Sequence, residues 1–308
     1  MVRPNSLVVR QTEASLTDAA LPHHATRRGI LYMALAILGF TAMDAVAKGL
    51  VAHYPVTEVI WARFVGHLGF VLIYLRRRVV PALKTKLPLL HLARSLTQLG
   101  ATAFFFISLK YIGLAEATAL ADINPVLITL GAGLFLGERL GPARLIGVGI
   151  ATVGALIVTR PGLAVFTPAA VLPVICAVCF AANMLLTRLA GIRESPWVSM
   201  VYGALLGTLF TSVPLPLVWQ PINLVDLPAF ALLGLLGAVA QLLIIRAFSL
   251  AQASAVAPFG YLDIVFATFW SITAFQEYPD RFTLIGALVI ALAGLYVWRQ
   301  EYAAGRPT

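Results

Sequence analysis

The chain is built from apolar runs of about twenty residues separated by short polar breaks, as in AAVLPVICAVCFAANMLL. A run of that length matches the roughly 30 Å hydrocarbon thickness of a bilayer when it is helical. Backbone polar groups in lipid must be satisfied internally, so only helices or closed barrels can span. Barrel strands would show segments of about 10 residues with alternating hydrophobicity, and the runs here are twice that long. Over 308 residues, 60% are hydrophobic and 11% charged, against about 25% charged in soluble domains. The expected class is an all-α integral membrane protein with the lipid bilayer as its solvent.

Reading the apolar windows with their breakers predicts ten transmembrane helices at 29–50, 57–75, 88–109, 113–136, 142–159, 167–188, 196–218, 228–249, 253–275 and 282–299. The connections are short, and the longest, RRRVVPALKTK, has room for no more than an amphipathic turn. No loop can house a nucleotide-binding domain, which excludes a self-contained ATP-driven pump. Residues 1–26 are largely polar and carry no cleavable signal. They read as a disordered cytosolic tail, and 301–308 as a second one.

Cation placement sets the expected orientation. With the N-terminus inside, Lys48, Lys110, Arg160 and Arg281 lie outside and Arg63 and Arg94 lie within spans; the other sixteen of the 22 Lys and Arg fall inside. Both termini are therefore expected in the cytosol, with the chain multi-pass in a bacterial inner membrane. The formal charge of +9 becomes a topological signal, and no nucleic-acid partner is expected. The pair CAVC (176–179) sits in an apolar run, where redox or metal chemistry lacks a polar, accessible setting. It reads as two small buried residues. No metal-ligand spacing appears and no cofactor is implied.

The two halves echo one another. GFTAMDAVAK aligns with CFAANMLLTR so that Phe40 matches Phe180 and Lys48 matches Arg188, each 140 apart. Glu138 matches Glu277 and the LIG triplets at 145 and 284 match, each 139 apart. One repeat is thus five helices, and an odd number turns the second copy upside down. The expected units are 27–160 and 161–300. Inverted repeats are typical of alternating-access carriers, with the substrate near the midplane at the repeat interface. Two rivals are weaker. A membrane enzyme needs a histidine cluster, a metal motif or a nucleophile beside a base, and none is evident. A passive channel predicts flux that does not saturate.

EATALADINPVLITLGAGLFLGERL and its echo ASAVAPFGYLDIVFATFWSITAFQEYPDRFTLIGALVI resemble the drug/metabolite transporter superfamily in its ten-helix EamA branch, over about residues 28–300. MDAVAK, EVIWARF, HLARS and RAFSLAQASAVAPFGYLDIV are similar to the S-adenosylmethionine and riboflavin uptake carriers. The resemblance implies a secondary transporter of a small organic metabolite, with export of amino acids or related metabolites as the alternative direction. It also implies a cavity lined by helices 1 to 4 and 6 to 9. One departure is the ninth span, where Pro258 stands six residues before the family's usual proline position near Ile264.

Depth along each span selects the candidate site. Asp122 and Asp263 are 141 apart and both fall near the midplane at about 1.5 Å per residue. Carboxyls in low dielectric can exchange protons near neutral pH, so the two are expected to bind substrate or a coupling proton. Asn124 and Pro125 follow Asp122, and the proline frees a backbone carbonyl. Asp44 and Arg63 share a similar depth and are expected to pair. Lys48 is expected at the headgroups, pairing with Asp44 at i, i+4. Arg94, Gln98, Gln241 and Tyr261 complete the polar candidates, and Phe105, Phe259 and Trp270 are candidate aromatic lining. His67 and His91 read as core histidines, and Glu138 and Glu277 as loop organisers. GALLG (203–207) is a GxxxG pattern suited to internal packing or to a homodimer face.

Overall fold

The computed structural model describes residues 23–135, 142–159, 167–191, 193–250, 259–260 and 262–304. Among them every regular element is helical. The helices are α1 (His23–Val51), α2 (Val56–Leu75), α3 (Pro88–Ser108), α4 (Leu114–Ala121), α5 (Asn124–Phe135), α6 (Pro142–Thr159), α7 (Val171–Gly191), α8 (Pro196–Ser212), α9 (Leu227–Leu250), α10 (Leu262–Phe275) and α11 (Arg281–Ala304). Five segments are long and apolar enough to cross a membrane: Arg28–Val51, Val56–Ala82, Pro168–Gly191, Pro196–Leu217 and Leu227–Phe248. Shorter apolar helices accompany them at Gly149–Val158, Leu262–Phe275 and Arg281–Ala293.

Local chemistry fixes the helix ends. Pro88 and Pro196 sit in the first turns of α3 and α8, where an amide hydrogen is not needed. The Ser195 side chain accepts from the Trp197 amide at the head of α8. Gln276 takes the left-handed conformation, φ 55, and the Glu277 amide returns to the Ser271 carbonyl at 3.0 Å. That turn ends α10 and presents Glu277 at the helix terminus.

Two expectations change. First, α1 begins at His23, earlier than the position 29 read from hydropathy. Second, the span expected to run unbroken over 113–136 is interrupted, because Asp122 and Ile123 form a turn between α4 and α5. The break has a simple cause. Pro125 has no amide hydrogen to return to the carbonyl four residues back, which is that of Ala121, the last residue of α4. Asp122 therefore caps a helix end deep in the bundle instead of lying mid-helix.

The polar face of α3 points inward: His91, Arg94, Ser95, Gln98 and Thr102 are all buried. Helix α3 packs on α7 and α8, α1 packs on α9, and α6 packs on α11. Close contacts use small residues. A Cβ on Gly39 of α1 would lie 3.1 Å from Ala240 Cβ of α9, and a Cβ on Gly100 of α3 would lie 3.1 Å from Cys179 Sγ of α7. Gly39 and Cys179 are 140 apart in sequence, as are Gly100 and Ala240. The GALLG glycines are occupied within the protomer. A Cβ on Gly203 would meet Gln98 Oε1 at 2.7 Å, and one on Gly207 would strike the Phe64 ring at 2.2 Å. The two glycines of the motif therefore serve packing within the protomer.

The apolar core has two main clusters. One gathers Met43, Phe64, Phe105, Phe106, Leu114 and Cys176. The other gathers Met33, Ile37, Met184, Met200, Val201 and Ile244. Phe40 and Phe180 pack against both, so they mark the level where the clusters meet.

Candidate functional site

A cavity of about 130 Å³ opens at that level. Its lining draws on both halves of the chain: Asp44 from α1, Arg63 from α2, Gln98 and Phe105 from α3, Asp122 and Asn124 from the α4–α5 break, Gln241 from α9 and Asp263 from α10. Asp122 is 1% exposed, whereas Asp44 and Asp263 are half-buried. Asp263 lies within electrostatic range of both Asp44 and Asp122, so three carboxyl groups share one small space.

Arg63 is held by neighbours other than its expected partner. Its Nη1 donates to Thr102 Oγ1, and its Nε donates to Met43 Sδ at 3.2 Å. The guanidinium also lies 5.3 Å from the Phe64 ring centre and 5.9 Å from that of Phe106, which favours a cation there. Asp44 interacts electrostatically with Arg63 but makes no direct ion pair with it among the described residues. The Gln98 and Gln241 amides meet across the cavity, Nε2 donating to Oε1 at 3.4 Å. Gln98 Oε1, Gln241 Nε2 and Asp122 Oδ2 are buried without a partner. Buried polar atoms in proteins are normally satisfied, so these three side chains keep hydrogen-bonding capacity that no described residue takes up.

Several predicted residues lie elsewhere. Arg94 is fully buried but is absent from the lining. Its Nη2 donates to the Ser199 carbonyl and its Nη1 to Thr187 Oγ1, the latter at 3.3 Å, while Asn183 Nδ2 donates to the Arg94 carbonyl at 2.7 Å. Arg94 thus ties α3 to α7 and α8. Phe259 packs in the core cluster around Met33, and Trp270 packs in the one around Met43; neither lines the cavity. Tyr261, Pro258 and Glu138 lie outside the described residues. The cavity also uses residues the sequence reading passed over, namely Phe40, Phe180, Asn183, Thr102 and Cys176. The match of Phe40 to Phe180 was the signal available for two of them.

The two ends of the bundle are clasped by polar contacts. Lys48 pairs with Glu277 at 2.6 Å and lies 5.2 Å from the Phe275 ring centre, which replaces the expected contact with Asp44. Both groups sit at helix C-termini, where the macrodipole favours the lysine and opposes the glutamate; the pair offsets that opposition. At this end Tyr54 Oη also donates to Asp226 Oδ2 at 2.6 Å. At the opposite end Glu194 accepts from Thr85 Oγ1 at 2.8 Å and from the Lys86 amide at 2.7 Å, and its Oε2 lies 2.7 Å from His91 Nε2. Burial pushes the Glu194 carboxyl up, but the hydrogen bonds from His91, the Lys86 amide and Thr85 outweigh it and hold the group below its ordinary range. Tyr54 and Glu194 are 140 apart in sequence, and Thr85 and Asp226 are 141 apart.

Comparison with known proteins adds the following. The model of the EamA-like transporter family matches residues 27–160 and again 167–299. The riboflavin transporter of Rhizobium johnstonii is 31% identical over 277 residues, covering 89% of this chain and 91% of that protein. The S-adenosylmethionine uptake transporter of Rickettsia bellii is 28% identical over 281 residues, covering 90% and 95%. The pseudopaline exporter of Pseudomonas aeruginosa is 29% identical over 282 residues, covering 89% and 97%. A solved crystal structure at 20% identity superposes with a TM-score of 0.63 over 92% of this chain and 99% of that one, which shows a shared fold.

Proposed function

Because the chain belongs to the EamA-like transporter family, and is thus a multi-pass membrane transporter and not an enzyme, we propose that it is a secondary carrier that imports a vitamin- or nucleoside-like metabolite across the bacterial inner membrane by alternating access. The observation that carries this reading is the cavity. Charged and amide side chains from both family-matched segments converge on one space between two apolar core clusters. A polar pocket enclosed by an apolar bundle suits a solute that must be held out of contact with lipid.

Ten spans arranged as two inverted five-helix repeats, 27–160 and 161–300, with cytosolic tails at 1–26 and 301–308, complete the proposal. Supporting it, Gly39–Ala240 and Cys179–Gly100 are the same contact made twice with an offset of 140. Tyr54–Asp226 and Glu194–Thr85 are a second such pair, at opposite ends of the bundle. An upside-down duplicate puts equivalent contacts at opposite ends. The excess of Lys and Arg on the N-terminal side supports cytosolic termini.

In this reading Asp44, Arg63, Gln98, Asp122, Asn124, Gln241 and Asp263 bind the substrate or a coupling proton, and Phe105 lines its apolar part. Riboflavin and S-adenosylmethionine are the leading candidates, each being the cargo in the name of a relative. The test is growth of a riboflavin auxotroph lacking its own uptake system, beside uptake of labelled S-adenosylmethionine. Import of either at micromolar concentration supports the reading. Failure of both with the protein present in the membrane overturns import and leaves export to be assayed.

A further inference from the structure

We infer that the cargo carries a fixed positive charge on an apolar or aromatic body, a sulfonium or quaternary ammonium compound being the fitting class. The inference rests on the transporter reading and narrows it. The charged groups on the cavity wall are Asp44, Asp122, Asp263 and Arg63, three acids against one base. Arg63 does not balance the acids by contact, since its Nε and Nη1 are turned to Met43 and Thr102. Among the described residues no lysine, arginine or histidine forms an ion pair with any of the three carboxyl groups.

A second observation is independent of the charge count. Asp122 Oδ2 is an unpartnered acceptor on a side chain that is 1% exposed, and Asp122 lines the cavity. A buried carboxylate oxygen with no donor is costly. A cationic cargo brings a positive charge to a wall rich in acids, whereas an uncharged ring system brings none. Phe40, Phe105 and Phe180 line the same cavity, and aromatic rings attract a cation once water is excluded.

The test uses the full chain in detergent and pairs of probes that differ in charge and little in shape. S-adenosylmethionine is paired with S-adenosylhomocysteine, its neutral thioether, and choline with 3,3-dimethylbutan-1-ol, its carbon analogue. Ligand-induced thermal stabilisation gives the affinities. At least one cation is expected to bind about tenfold more tightly than its neutral partner, and Asp122→Asn or Asp263→Asn is expected to remove most of that preference. Asp122→Glu and Asp263→Glu should retain it, and unliganded melting confirms that each variant is folded. Asp44→Asn serves where either asparagine variant fails to fold. The inference is overturned if neither cation is preferred, or if the preference survives the asparagine substitutions. Counterflow in proteoliposomes separates the two levels of the argument. Riboflavin exchange without any charge preference in binding sinks this inference and leaves the transporter reading standing. Charge-selective binding with no counterflow of the bound probe does the reverse.

Discussion

Replacing Gly66 with alanine tests a backbone-to-backbone approach between α2 and α9. A Cβ on Gly66 would lie 2.5 Å from the Cα of Gly234, and ordinary van der Waals contact begins at 3.4 Å. The obstacle is main chain, so no rotamer change relieves it, and the helices must separate by about the missing 0.9 Å. Overpacking of this kind costs about 1–3 kcal/mol. Alanine returns up to about 1 kcal/mol through its better helix propensity, for a net loss of about 1–2 kcal/mol. At roughly 2–4 °C per kcal/mol, the Tm of G66A should fall by several degrees. Gly69 on the same helix is the control, because a Cβ there meets nothing within 4 Å; G69A should melt at or slightly above the wild type. Gly66 is one turn from Arg63, and Gly234 is two turns from Gln241, so substrate affinity should fall with stability in G66A alone. The assay is thermal unfolding in detergent, with ligand binding on the same samples. G66A melting at or above G69A would refute the α2–α9 contact and the cavity geometry built on it.

Three further outcomes are expected. Lys48→Met leaves Glu277 unpaired at the end of α10 and should cost about 0.5–1 kcal/mol, limited because the Glu277 side chain is 42% exposed; the exchange K48E with E277K should recover most of it in thermal melts. The carboxyl of Glu194 is held below its ordinary range, so its contribution is complete above the unfolded value of about 4.3 and is lost as pH falls through the lower folded value. The Tm difference between wild type and Glu194→Gln should therefore be constant above about pH 5 and shrink under acid. Arg94→Ala should destabilise by about 2–4 kcal/mol through the loss of a buried tie yet leave the KM of the folded fraction unchanged, whereas Arg63→Ala should raise KM.

Much of the site was legible because depth along a helix is a sequence property. The rise per residue put Asp122 and Asp263 at one level, and Gln98 and Gln241 at equivalent positions, and all four line the cavity. What failed was rotation and partner choice. An arginine within a span reads alike whether it faces a ligand or a neighbouring backbone, and Arg94 found the Ser199 carbonyl. Lys48 had a local partner at i, i+4, but its ion pair is with Glu277, 229 residues away. Hydropathy also averages across a break, so the turn at Asp122 was invisible to it although Pro125 stood in plain sight. Phe40 and Phe180 were recognised as matching positions, yet nothing in an apolar residue says that it faces a void.

The inward polar face of α3 has a consequence for the order in which the protein is made. Helix α3 carries His91, Arg94 and Gln98 and is absent from the segments apolar enough to span unaided. An arginine at the centre of a span costs about 2.5–3.5 kcal/mol on insertion scales, and Arg94, a third of the way along α3, carries part of that cost. The groups that receive these side chains are Thr187, Glu194, Ser199 and Gln241, all in the second half of the chain. A ribosome releases α3 well before any of them, so the nascent helix must wait beside the insertion machinery or at the interface until α7, α8 and α9 arrive. A fragment ending near residue 160 would never be relieved of that wait, which makes it a natural substrate for membrane quality control. Supplying residues 161–308 as a separate chain should rescue it.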